Sequence, residues 1–104
     1  MKYCMVIVTC PNEADAKILA SDMVTKKLAA CVQLNPVTSI YTWQGKVHTD
    51  PEIRMIIKTT TLRCDALEKF ITAHHGYEVP QIIMIPFDKG LESYLGWIDE
   101  TTQE

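Results

Sequence analysis

Residues 3–10, YCMVIVTC, are apolar and rich in β-branched side chains, and Pro11 stops them. Such a short run predicts a buried strand. In the next segment Ala16, Leu19, Ala20 and Met23 recur every three or four residues, the spacing of one helix face. Asn12 is a suitable N-cap, Glu13 and Asp15 suit the first turn, and Lys26 and Lys27 suit the C-terminal end of the dipole. Residues 29–43 and 46–60 then read as two long strands, interrupted at Pro36 and Pro51 and joined by a short Gln44–Gly45 turn. A second helix is expected over 62–75, with Ala66, Leu67, Phe70, Ile71 and His74 on one face and Gly76 as its left-handed terminator. PQIIMIPF at 80–87 predicts the last core strand, and a short helix follows with Leu91, Tyr94, Leu95 and Ile98 aligned.

The order β-α-β-β-α-β plus a helix predicts an α+β fold, the ferredoxin-like plait, with both main helices on one face of an antiparallel sheet. The 104 residues make one domain, 1–104, without repeats or linkers. One feature strains that picture. Each middle strand has about 15 residues, roughly 50 Å when extended, against a radius of gyration of about 13 Å for a domain this size. The hairpin is therefore expected to overhang its own domain. Its outer half carries Ile40, Tyr41, Trp43 and Val47, apolar surface that invites another chain. The competing expectation is a hairpin curled back on its own sheet, with the two prolines as bends.

Composition adds limits. A net charge of −3 argues against a nucleic-acid surface, and no apolar stretch approaches the roughly 20 residues of a membrane span. The opening MKYCMVIVTCPNEAD is a poor signal peptide, so a soluble, cytoplasmic protein is expected. Cys4, Cys10, Cys31 and Cys64 contain no C-x-x-C pair and read as reduced thiols in or near a core.

The stretches KLAACVQL (27–34), SIYTWQGKV (39–47), EIRMIIKTT (52–60), HHGYEVPQII (74–83) and YLGWI (94–98) together resemble the CutA family of divalent-cation-tolerance proteins. The resemblance implies a ferredoxin-like subunit, a homotrimer joined through the long hairpins, and a role linked to copper and other divalent cations. It also marks departures. Gly76 stands where the family usually has the proline of H-P-Y-E-V-P. Some bacterial members are credited with a copper site of paired histidines and a first-strand cysteine; aligned on Pro11, that cysteine falls at Val8, two residues before Cys10.

Two sets of candidate residues emerge. His74 and His75, with Cys10 or Glu78 as a third donor, offer imidazole plus thiolate or carboxylate, chemistry suited to copper or zinc. Helical neighbours point about 100° apart, however. The alternative makes His74 a packed residue tying helix end to strand entry, with His75 in solvent. The second set is Trp43, Glu52, Lys58, Tyr77 and Trp97. Glu52 and Lys58 share a strand face but lie about 20 Å apart. They would line one cleft only across a subunit boundary; the alternative is an interfacial ion pair with packed aromatics. No phosphate loop, G-x-S-x-G or H-E-x-x-H motif is present, so no enzyme activity is expected. The competing function is a trimeric small-molecule sensor of the PII type, although a long flexible loop and a phosphate cradle are both missing.

Overall fold

Asn12 behaves as its residue type predicts. Its side-chain oxygen accepts the Asp15 N–H at 2.8 Å, and α1 (Glu13–Thr25) runs from there. The computed structural model describes residues 1–103. Around α1 it places β1 (Tyr3–Cys10), β2 (Cys31–Trp43), β3 (Lys46–Thr60), a 3-10 turn (Thr61–Arg63), α2 (Cys64–His74), β4 (Ile82–Phe87) and α3 (Glu92–Thr102). The sheet order is β2-β3-β1-β4 with every neighbouring pair antiparallel. That is the ferredoxin-like plait, with α1 and α2 as the two crossovers.

Period-two alternation decides what each sheet face carries. Cys4, Val6, Val8 and Cys10 of β1 join Met55 and Ile57 of β3 on one face, where α1 and α2 cover them with Ala16, Leu19, Met23, Leu67 and Ile71. Each fully buried aliphatic side chain contributes about 1.5–3 kcal/mol. The opposite face is covered at one end only. There α3 seats Ile98 against Tyr3 and Ala30, with Phe87 and Leu95 alongside, and the Tyr3 hydroxyl donates to Asp99 at 2.7 Å. The rest of that face, centred on the register Ile7–Ile56 and Ile7–Ile83, has no layer from this chain. Ile83 is 49% exposed and Ile85 39% exposed.

The β2–β3 hairpin is extended rather than curled. β1 pairs with β3 only from Ile53 to Thr60, while β2 follows β3 out to Trp43 opposite Lys46. The chain is accordingly elongated, 45 × 24 × 21 Å. Gln44 and Gly45 both have positive φ (52° and 79°), the mirror-image two-residue turn whose twist matches that of its strands. Pro36 and Pro51 do not interrupt these strands as expected. β2 is an edge strand throughout, and β3 before Ile53 has no second neighbour. A residue lacking an N–H is tolerated where one side of its strand is open.

Several expected boundaries shift. β2 begins at Cys31 and β4 at Ile82, and α2 begins at Cys64 after the 3-10 turn. The buried face of α2 is Cys64, Leu67 and Ile71, whereas Ala66 is exposed. In α3, Ile98 is buried, whereas Leu91, the residue just before the helix, is exposed. Gly76 is not the left-handed terminator: Gly45 is the one glycine with positive φ among the described residues. Instead α2 ends because His75 turns extended, at φ −85° and ψ 142°, while its N–H still caps the Ile71 carbonyl at 2.8 Å.

Candidate functional site

That turn at His75 reverses the expected roles of the two histidines. His75, not His74, is the half-buried ring that ties α2 to the sheet. Its Nε2 lies 2.7 Å from the Thr9 carbonyl oxygen, and its Nδ1 accepts the Tyr77 N–H at 3.1 Å. A carbonyl only accepts and an amide N–H only donates, so the ring is held as the neutral Nε2–H tautomer with both nitrogens in use. His74 is exposed; it stacks on Phe70 with centroids 4.3 Å apart, and its Nδ1–H donates to the Phe70 carbonyl at 2.8 Å. Its Nε2 then carries the ring's lone pair. The sequence misassigned the pair because the apolar stripe of α2 points through His74, whereas His75 reaches the sheet only once the helix has ended.

Cys10, His74 and His75 do line one hollow of about 310 Å³, beside Asp15 and Asp22. The Cys10 sulfur is 3.8 Å from His75 Nε2 and 3.4 Å from the Met55 sulfur. Burial pushes its thiol up from an ordinary 9.0 to about 11, and the charges of Asp15 and Glu52 push the same way. Glu78, the alternative third donor, faces a different groove. Among the described residues no group of three or more His, Cys, Asp and Glu is placed to hold a metal ion. The donors therefore do not fit a preassembled three-ligand site: one thiol resists ionisation, one imidazole is committed, and one imidazole is available at the surface.

The second candidate set divides. Trp43, Glu52 and Tyr77 line one groove of about 730 Å³ between the overhanging hairpin and the α2–β4 loop. The Tyr77 hydroxyl donates to the Glu52 carboxylate at 2.8 Å, and burial followed by that bond raises the tyrosine pKa. Tyr41 and Thr9 also line the groove. Tyr41 stacks on His48 at 5.5 Å and donates to Asp50 at 2.5 Å. The sequence contained the signal for Tyr41: a two-residue turn at 44–45 puts residues 41, 43, 50 and 52 on one hairpin face. Lys58 and Trp97 lie elsewhere in this chain. Lys58 bonds Gln33 across the β2–β3 pair, and Trp97 stacks on Tyr94 of α3 at 5.6 Å.

The model of the CutA1 divalent ion tolerance protein family matches residues 4–101. The chain belongs to that family. It is 41% identical over 99 residues to the divalent-cation tolerance protein CutA of Thermus thermophilus, covering 94% of this chain and 96% of the relative. It is 46% identical over 97 residues to mouse Protein CutA, covering 92% of this chain but only 55% of the mouse protein. The chain thus spans about half the length of its mammalian relatives. Among solved structures, CutA1 from Oryza sativa superposes with a TM-score of 0.96 at 42% identity, covering 100% of this chain and 96% of that one. The CutA of Archaeoglobus fulgidus, described as periplasmic, gives 0.95 at 36% identity over 97% and 99%. Among the described residues no helix of this CutA-family chain is long and apolar enough to cross a membrane.

The thiols make one prediction. Burial raises Cys64 as well, to about 12, with its neighbour Cys4 adding to the shift. Both groups are neutral thiols whose folded pKa lies above the ordinary 9.0. Above that pH the unfolded chain loses these protons first, so their contribution to stability is complete below pH 9 and declines up to about 11 and 12. Urea titrations at stepped alkaline pH should show this decline, and Cys10→Ala and Cys64→Ala should each make it shallower. Identical pH profiles for wild type and both variants would contradict it.

Proposed function

We propose that this protein is a homotrimeric, cytoplasmic member of the divalent-ion tolerance family that binds divalent cations weakly, copper among them, and has no catalytic activity of its own. The metal-linked reading is supported by the family match over residues 4–101 and by the hollow that Cys10, His74 and His75 line together. Exposed His74 is the principal donor; recruiting His75 costs its bond to Thr9. The homotrimer is supported by the half-uncovered sheet face and the overhanging hairpin, which need a partner layer and edge partners. Reduced cysteines buried in the core agree with a cytoplasmic location.

Calorimetric copper titration tests the metal reading. Binding should weaken below the ordinary imidazole pKa of about 6.5, because ligands must be unprotonated. His74→Ala should reduce affinity more than Cys10→Ala. Affinity unchanged in the His74→Ala/His75→Ala double variant would overturn the assignment.

One observation favours a second reading, a PII-like small-molecule sensor: the groove holding Trp43, Glu52 and Tyr77. In a trimer, Lys58 and Trp97 of a neighbouring protomer would be the residues to complete it as a cleft between subunits.

A further inference from the structure

We propose that Cys4 and Cys64 are a redox-active thiol pair, which a low-molecular-weight disulfide oxidises to a reversible bridge between β1 and the start of α2. The inference goes beyond the metal-linked reading and does not depend on it.

The fold makes the pair. The sequence holds no C-x-x-C, and these two cysteines lie far apart along the chain. Yet Cys4 sits opposite Thr59 in the β1–β3 register, and the 3-10 turn after β3 brings the chain back over that same end of the sheet. Cys4 and Cys64 thereby enter one buried cluster on the helix-covered face. The Cys64 Sγ is within hydrogen-bonding reach of the Thr60 carbonyl oxygen, at 3.6 Å, and of the Cys4 thiol. The Cys4 Sγ has a weak contact of its own, 3.6 Å to the Met5 carbonyl oxygen. The other two cysteines are placed elsewhere. Cys10 is six residues further along β1, about 20 Å away, beside Met55 and His75. Val32 and Leu34 pack into the helix-covered core, so by alternation Cys31 faces the other side of the sheet, near Tyr94 of α3.

Exposure sets the order of attack. Cys4 is 2% exposed and Cys64 7%, so Cys64 meets the oxidant first. Cys64 opens α2, and the N-cap residue is Arg63, whose side chain has no acceptor for the first N–H groups of the helix. A first turn without a side-chain cap opens locally at less cost than the core beneath it. In the closed state burial, and then the hydrogen bond with Cys4, push the Cys64 thiol up to about 12, so oxidation at neutral pH waits on this opening. The Cys64 thiolate then attacks one sulfur of the small disulfide; its S–S bond breaks and one small thiol leaves. Cys4 next gives up its proton, attacks the Cys64 sulfur of the mixed disulfide and displaces the second small thiol. The protein loses two electrons and two protons, and the small disulfide gains them as two thiols. The resulting bridge encloses α1 and the whole hairpin, a long loop whose closure restrains the unfolded chain.

The test exposes the intact, folded protein to hydroxyethyl disulfide at mildly alkaline pH. Acid stops the exchange, the remaining thiols are blocked with N-ethylmaleimide in urea, and the peptides are mapped by mass. The Cys4 and Cys64 peptides should appear joined and two hydrogens lighter, with Cys10 blocked, and dithiothreitol should separate them. At fixed protomer concentration the bridged protein should unfold at a urea concentration higher by roughly 1 M or more than the reduced protein. In Cys4→Ala the same exposure should leave that midpoint unchanged and yield, at most, a mixed disulfide on Cys64. Cys4 and Cys64 remaining free in the folded protein, while the same exposure oxidises the urea-unfolded chain, would overturn the proposal. A bridge from either residue to Cys10 or Cys31 would overturn it as well.

Discussion

Ile83→Asp is expected to break the assembly. Wild type should scatter light as three times the 11.8 kDa chain mass at micromolar concentration, and the variant as a smaller species or as an unfolded chain. Ile83 lies on the helix-free face opposite Ile7, which in turn faces Ile56, and it is 49% exposed in the single chain. If a neighbouring protomer covers that face, the substitution places an unpaired carboxylate in an apolar layer, a cost of several kcal/mol. A control charge at Ile18, which is exposed on α1, should leave the mass unchanged. Because the face is stabilised only on association, wild-type unfolding midpoints should rise with protomer concentration. A folded wild-type monomer, or an Ile83→Asp protein of unaltered mass and stability, would refute the assembly reading.

Ile71→Ala is expected to destabilise the protein by about 2–5 kcal/mol in denaturant titration at fixed protomer concentration. Ile71 is fully buried between α2 and the sheet, within the cluster that includes Val6, Val8, Met55 and Leu67. Removing its outer carbons leaves a cavity that a close-packed core fills poorly. A larger consequence follows at the site. The Ile71 carbonyl accepts the His75 N–H, and His75 in turn holds Thr9 and Tyr77. A loosened last turn should therefore disturb Tyr77 and the groove, whereas Leu62→Ala, at a fully solvated position, should change stability by less than about 0.5 kcal/mol. A loss below about 1 kcal/mol for Ile71→Ala would show that this contact does not hold the helix to the sheet.

Local rules settled much of this molecule in advance. The β-branched apolar run 3–10, stopped by Pro11, favours a buried strand, and that strand spans Tyr3–Cys10. Asn12 and the three-to-four spacing of Ala16, Leu19, Ala20 and Met23 specified both the start and the buried face of α1. The Gln44–Gly45 turn fixed the hairpin register, because a two-residue loop leaves no slack. The family, too, was legible, since five motifs fell in order along nearly the whole chain. What the sequence could not specify depends on residues distant along the chain. The prolines looked like breaks, yet their cost depends on whether a neighbouring strand needs the absent N–H, and only sheet order decides that. His74 and His75 are adjacent and chemically identical. Which one becomes the half-buried tether was decided by where α2 stops relative to the Thr9 carbonyl, 66 positions from His75. Trp43, Glu52 and Tyr77 were grouped with Lys58 and Trp97 as one cleft across a subunit boundary, because Lys58 sits six residues beyond Glu52 on the same extended strand, about 20 Å away. Within this chain the tertiary structure brings only Trp43, Glu52 and Tyr77 together, because Tyr77 reaches Glu52 once the chain has passed through α2 and returned to the sheet.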